Sequence, residues 1–135
     1  MTNENINPFV SSDELITRFV FQSNWFRKAD KTITHNAFMP RPEPHLDLSV
    51  TRCINISQDE IFRIGNEIAM GQGKTFYGRT NLRADDARRL SLDVESSPVP
   101  KNQNHANIVS WPRDKAHQKS IAQQLAAGRK LIENI

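Results

Sequence analysis

HLDLSVTRCINI, residues 45–56, alternates apolar and polar side chains: Leu46, Leu48 and Val50 fall on one side, Asp47, Ser49 and Thr51 on the other. A period of two marks a strand with one buried face. The chain is thereby committed to a sheet, and the remaining segments must supply its other strands and its cover. PRPEP, residues 40–44, reads as a non-helical connection, because each proline restricts its own φ and the residue before it.

The other segments are short and of mixed type. SSDELITRFVFQ (11–22) carries Ser11 three residues before Glu14, a capping-box spacing, with Leu15, Ile16, Phe19 and Val20 on one helical face. The spacing predicts a helix; a strand stays open because the run is short and rich in Phe, Ile and Val. A strand is expected within 32–38. SQDEIFRIGNEIAMG predicts a helix capped by Ser57 and Glu60, with Ile61, Ile64 and Ile68 as its apolar stripe and Gly71 as its stop. KTFYGRTNL, SLDVESS and ANIVSW read as strands. RADDARRL reads as a two-turn helix, and residues 115–131 as a helix capped by Asp114 and weakened by Gly128.

With connections this short the expected fold is α+β. It is a single small domain, with one mixed or antiparallel sheet of four to five short strands covered on one face by three to four helices. Residues 1–10 are expected to be loosely ordered and 11–135 to form the domain; 135 residues, 37% of them hydrophobic, bury a core without staples.

One cysteine, Cys53, excludes an internal disulfide and fits a reducing cytoplasm. MTNENINPFVSSDE has neither the positive start nor the apolar core of a signal peptide, and the apolar runs are far below a membrane span. Cytoplasmic location and no membrane partner are the expectations. The net charge is +3, and it resides at one end. Residues 111–135 hold Arg113, Lys115, Lys119, Arg129 and Lys130 against Asp114 and Glu133, and 5 − 2 accounts for the whole excess.

Four stretches carry candidate chemistry. GQGKT (71–75) resembles the end of a phosphate-binding loop. The full pattern needs a glycine where Ile68 stands, and a strand before and a helix after, so a helix-to-strand turn is the reading. In RPEPHLDLSVTR, His45 and Asp47 would share a strand face, where an Asp can orient an imidazole; the solvent face of a half-exposed strand is the preferred reading. In HANIVSWPRDKAHQK (105–119), His105 and Asn107 would stand side by side on a strand, as a general acid or base beside an orienting amide. The His-x-Thr or His-x-Ser repeat of two-histidine phosphoesterases is absent at both histidines. A metal would need a third ligand from His35, Asp47 or His117, so no metal is assigned, and no cofactor. Finally, Lys115, Lys119, Arg129 and Lys130 fall within one arc of the last helix, opposite Ile121, Leu125 and Ile132. Arg79, Arg83, Arg88 and Arg89, with Trp25 and Phe26 for stacking, would extend such a surface toward nucleic acid.

In AFMP (37–40), LDLSVTR (46–52), YGRTNLRADDAR (77–88) and HANIVSWPRDKAHQK (105–119), the chain resembles a group of small uncharacterised bacterial proteins sharing F-x-P, LSV-x-R and HAN-I-V-x-WP blocks in that order. The resemblance spans most of residues 15–131. It implies one compact bacterial domain and attaches no activity.

Two functions fit these observations. The first is a bacterial cytoplasmic binding or accessory protein, recognising a protein partner or nucleic acid through residues 105–119 and the basic C-terminal helix (Trp111, Arg113, Lys115, Lys119, Arg129, Lys130). It requires Trp111 on the surface, where aromatic anchors work. The second is a histidine-dependent hydrolase or transferase acting on a phosphate- or nucleotide-containing substrate. There His105 is the acid or base, Asn107 the orienting amide, His45 with Asp47 the partner pair, and Arg52 or Arg113 the phosphate holder. It requires His45 and His105 to line one pocket, imidazoles within about 8 Å.

Overall fold

The computed structural model describes residues 6–133. Its centre is a five-stranded, fully antiparallel sheet in the order β3-β1-β2-β5-β4. The strands are β1 (Leu15–Val20), β2 (Leu48–Arg52), β3 (Gly78–Arg83), β4 (Asp93–Ser96) and β5 (His105–Val109). Three α-helices accompany them: α1 (Gln58–Gln72), α2 (Ala84–Arg88) and α3 (Lys115–Ala126).

The helix expected over 11–22 is instead β1. Its Ile, Thr, Phe and Val suit a pleated surface better than a helix. As an inner strand it also buries both faces, Ile16 and Val20 on one side and Thr17 and Phe19 on the other. The apparent capping box fails because the Glu14 carboxylate is taken by Arg52. The strand expected within 32–38 is likewise absent. Phe26–Ile33 and Thr32–Lys130 form isolated bridges, followed by a 3-10 turn over His35–Phe38 that buries Ala37 and Phe38.

Helices cover both faces, not one. Directly paired residues share a face, so Ile16, Leu48, Val50, Leu82, Val94, Ala106 and Ile108 make one apolar surface, closed by Ile121, Ala122, Leu125 and Ala126 of α3. Burying a leucine such as Leu125 here is worth about 2–3 kcal/mol. On the other face Ile61 and Ile64 of α1 pack on Phe19, with the Phe76 ring edge-on to Phe19 at 5.5 Å. This second cover reaches only the β3–β1 half. Over β2 and β5 the sheet is left with Ser49, Thr51, His105 and Asn107.

Local signals fix the helix ends. Ser57 Oγ accepts from the Glu60 N–H at 3.1 Å, as expected, but α1 runs past Gly71 to Gln72 because the left-handed residue is Gly73, at φ 64°. Asp114 caps α3 through the His117 N–H at 2.9 Å. Helix α3 ends at Ala126, short of 131, since Gly128 at φ 74° turns the chain; Ile132 then exchanges two hydrogen bonds with Arg79 on the edge of β3. Of the segment expected to be loosely ordered, residues 1–5 lie outside the described residues. Asn7 and Phe9 are held through their carbonyls by Arg52, and Val10 is buried.

Candidate functional site

The uncovered half-sheet is the floor of a groove of about 1160 Å³. Cross-strand pairing sets Ser49 beside Asn107 and Thr51 beside His105. The walls come from the last turn of α1 with Lys74, from the loop 97–102, and from Trp25 with residues 39–42.

His105 is fixed at its rim. Its backbone carbonyl accepts from the Ser97 N–H at 2.8 Å, and its Nδ1 lies 2.7 Å from the Ser97 carbonyl. A carbonyl only accepts, so Nδ1 carries the hydrogen and Nε2 is the nitrogen left for a ligand. The Asn107 amide, two residues on, has no hydrogen-bond partner among the described residues and lines the groove. Thr51 Oγ1 accepts from Asn102 Nδ2 at 2.9 Å, and Asn104 Nδ2 donates to the carbonyls of Arg52 and Ile54. These two asparagines lock the loop that delivers His105. Sequence reading passed over them, although side chains that bond nearby backbone are the usual reason for Asn in such loops.

The lining is mostly cationic, with two carboxylates beside it: Asp47, forked by Arg41, and Glu95, the cross-strand partner of Asn107. Arg18, Arg41, Lys74 and Lys101 line the groove, and no lining residue is Asp or Glu. Arg41 is forked onto Asp47 at 2.6 and 2.8 Å, and that bond holds the Asp47 carboxyl below its ordinary range. Arg18 has no carboxylate partner, and burial pulls its guanidinium down to about 10.

Several expected site residues stand elsewhere. His45 and Asp47 precede β2 in a loop closed by the Arg41 N–H to Asp47 carbonyl bond. His45 is exposed and is not among the groove-lining residues; the Asp47 carboxylate holds Arg41, and the charges of His45 and His105 also act on it. Leu46, at φ 44°, breaks the alternation that suggested a shared face. Trp111 is no surface anchor. It is 6% exposed, packed in the α3-side core, with Nε1 donating to the Ile108 carbonyl at 3.0 Å. Ser110, at φ 71°, redirects the chain between the end of β5 and Trp111.

Of the candidate phosphate holders, Arg52 is buried against Glu14, while Arg113 is 83% exposed, 4.0 Å from Glu43. Lys115 and Lys119 are exposed on α3, but Arg129 and Lys130 lie beyond its end. Arg129 is tied to the Leu125 and Asn81 carbonyls and to Asp86, so the basic arc is not continuous. Arg79 is buried, Arg83 bonds the Asp13 carbonyl, and Arg88 and Arg89 pair with Asp93 and Asp85. Trp25 lies under Arg18 and Phe26 is in the core. GQGKT is the α1-to-β3 turn, with Lys74 over the Phe21 ring. His117 edges a smaller hollow of about 230 Å³ against Leu92 and Ile121.

Among the described residues no group of three or more His, Cys, Asp and Glu is placed to hold a metal, and no helix is long and apolar enough to cross a membrane. In comparison with known proteins, no family model, no curated protein and no solved structure matches this chain.

Proposed function

We propose that the groove over β2 and β5 binds a small phosphate- or nucleotide-containing substrate and that His105 exchanges a proton with its reacting group, making the protein a small hydrolase or transferase. The observation that carries this reading is the lining itself: Arg18, Lys74 and Lys101, none paired with a carboxylate among the described residues, on one groove with His105. Such a surface attracts oxyanions and disfavours a cationic ligand. The Ser97 carbonyl holds the Nδ1–H and would stabilise the imidazolium formed when Nε2 takes a proton. Asn107 offers one acceptor and two donors to orient the same group. His45 and Asp47 have no part in this version of the site. The single cysteine fits a reducing compartment such as a cytoplasm.

NMR titration of the histidine imidazoles and backbone amides, with inorganic phosphate, nucleoside monophosphates, phosphosugars and short RNA and DNA, tests the reading. His105 and the amides of Asn107 and Thr51 are expected to move together with one phosphate-bearing small molecule. Groove signals unmoved by every such compound, with α3 amides shifting on RNA or DNA, would reject it and favour recognition of nucleic acid by Lys115 and Lys119.

A further inference from the structure

Strands β1 and β2 pair only at Ile16–Arg52 and Thr17–Thr51. Beyond that point they separate, and the side chain of Arg18 fills the opening. Its Nε donates to the Ala37 carbonyl and its Nη1 to the Ser49 carbonyl, both at 2.9 Å, and its guanidinium carbon lies 4.8 Å from the centre of the Trp25 ring. Three separate parts of the chain thus fix the orientation of one cation at the edge of the groove.

Two of the five guanidinium N–H groups are used in these bonds. The other three have no protein acceptor among the described residues. Arg52, Arg88 and Arg129 each meet a carboxylate, whereas Arg18 meets only neutral carbonyls and a ring. A cation held rigidly, without a counter-charge, and with donors to spare is the arrangement that receives an oxyanion, since a planar fork matches phosphate oxygens.

We infer that Arg18 is the phosphate-binding side chain of the groove, gripping a phosphate that serves as a handle and not as the reacting centre. This rests on the groove being the ligand site. The separation argues for a handle. Ser49, whose carbonyl holds Arg18, pairs with Asn107, and His105 lies two residues along β5. At about 5 Å between strands and about 3.4 Å per residue, the bound phosphate and the imidazole are on the order of 10 Å apart. A molecule the size of a nucleoside monophosphate spans that distance, with its phosphate at Arg18 and its uncharged end over Asn107 and His105. Binding energy from such a remote anionic group positions the reacting end.

The test follows the Arg18 Nε–H and the backbone amides by 15N NMR during titration with adenosine 5′-monophosphate, inorganic phosphate and adenosine at constant ionic strength. The Arg18 Nε–H should shift with the two phosphate compounds and stay still with adenosine. Arg18→Gln should weaken the monophosphate about ten-fold or more and leave adenosine unchanged, as expected for loss of a charge-assisted fork. Should Arg18→Gln fail to fold, the wild-type Nε–H signal decides alone. If the monophosphate moves Asn107 and His105 but leaves the Arg18 Nε–H still, the handle is elsewhere and the groove reading survives. If no phosphate compound moves any groove signal, both fall.

Discussion

Arg52 and Glu14 face each other inside the molecule, 1% and 7% exposed, with Nη2 to Oε2 at 2.9 Å. The same guanidinium reaches the carbonyls of Asn7 and Phe9, so one buried ion pair clamps the N-terminal segment onto β1 and β2. Glu14→Ala should therefore cost about 3–5 kcal/mol in urea unfolding, because it strands a buried guanidinium. Amide exchange over residues 7–10 should rise with it. The double change Arg52→Met with Glu14→Leu should cost clearly less than Glu14→Ala alone. An additive double variant would mean that the pair is not coupled in this way.

Trp111→Ala should behave as a core truncation, losing about 3–5 kcal/mol. Trp111→Phe should cost less, about 1–3 kcal/mol, since it keeps most of the ring and loses only the indole N–H bond to the Ile108 carbonyl. Both are read by denaturant midpoint at unchanged slope. A stable Trp111→Ala variant would contradict the burial seen here.

Lys115→Glu with Lys119→Glu changes two exposed side chains that no ion pair engages among the described residues. Stability should stay within about 0.5 kcal/mol of the parent. Phosphate-compound binding in the groove should also be unchanged, since neither lysine lines it. Weaker groove binding in this variant would show that α3 contributes to ligand capture.

What was legible in the sequence was largely what is local. The Ser57 and Asp114 caps, the Ile61–Ile64–Ile68 stripe and the buried alternation of Leu48 and Val50 need only neighbours a few residues away, and each stands as read. His105 and Asn107 were placed side by side correctly because a strand period of two fixes that. Residues whose role is set by distant partners were misread. Glu14 looked like a capping residue until Arg52, 38 positions away, claimed it. Trp111 looked like an anchor, but its ring packs in the α3-side core and its Nε1 donates to the Ile108 carbonyl. Arg18 drew no notice, because its partners Ala37 and Ser49 lie 19 and 31 residues on, and nothing in β1 itself marks the opening it fills.

Gly65 sits mid-helix in α1, where alanine ordinarily gains about 1 kcal/mol. Here a Cβ would lie 2.5 Å from Cζ of Phe76 and 2.9 Å from its Cε atoms. Phe76 is hemmed by Phe19, Phe21 and Phe62, so the ring cannot simply withdraw. Overpacking of about 1–3 kcal/mol should outweigh the propensity, and Gly65→Ala should lower the urea midpoint. A higher midpoint would indicate that Phe76 has room to swing out.

Cys53 follows β2 and packs beside Phe19 and Ile61. Burial pushes its thiol up to about 11 from an ordinary value near 9; Glu14 adds to the rise and Arg79 opposes it. At pH 8 the thiolate fraction should be about a hundred-fold below that of an ordinary cysteine, so alkylation by iodoacetamide should be slower by a similar factor. The sign for stability follows from the same shift. Between about 9 and 11 the folded chain keeps a proton that the unfolded chain has lost, so this contribution is complete below pH 9 and disappears as pH rises through 11. Cys53→Ala should remove that part of the alkaline decline, read as the difference in urea midpoint between pH 8 and pH 11 in parent and variant. Equal declines in both, or rapid alkylation of the folded protein at pH 8, would show the thiol to be more open to water than its packing implies.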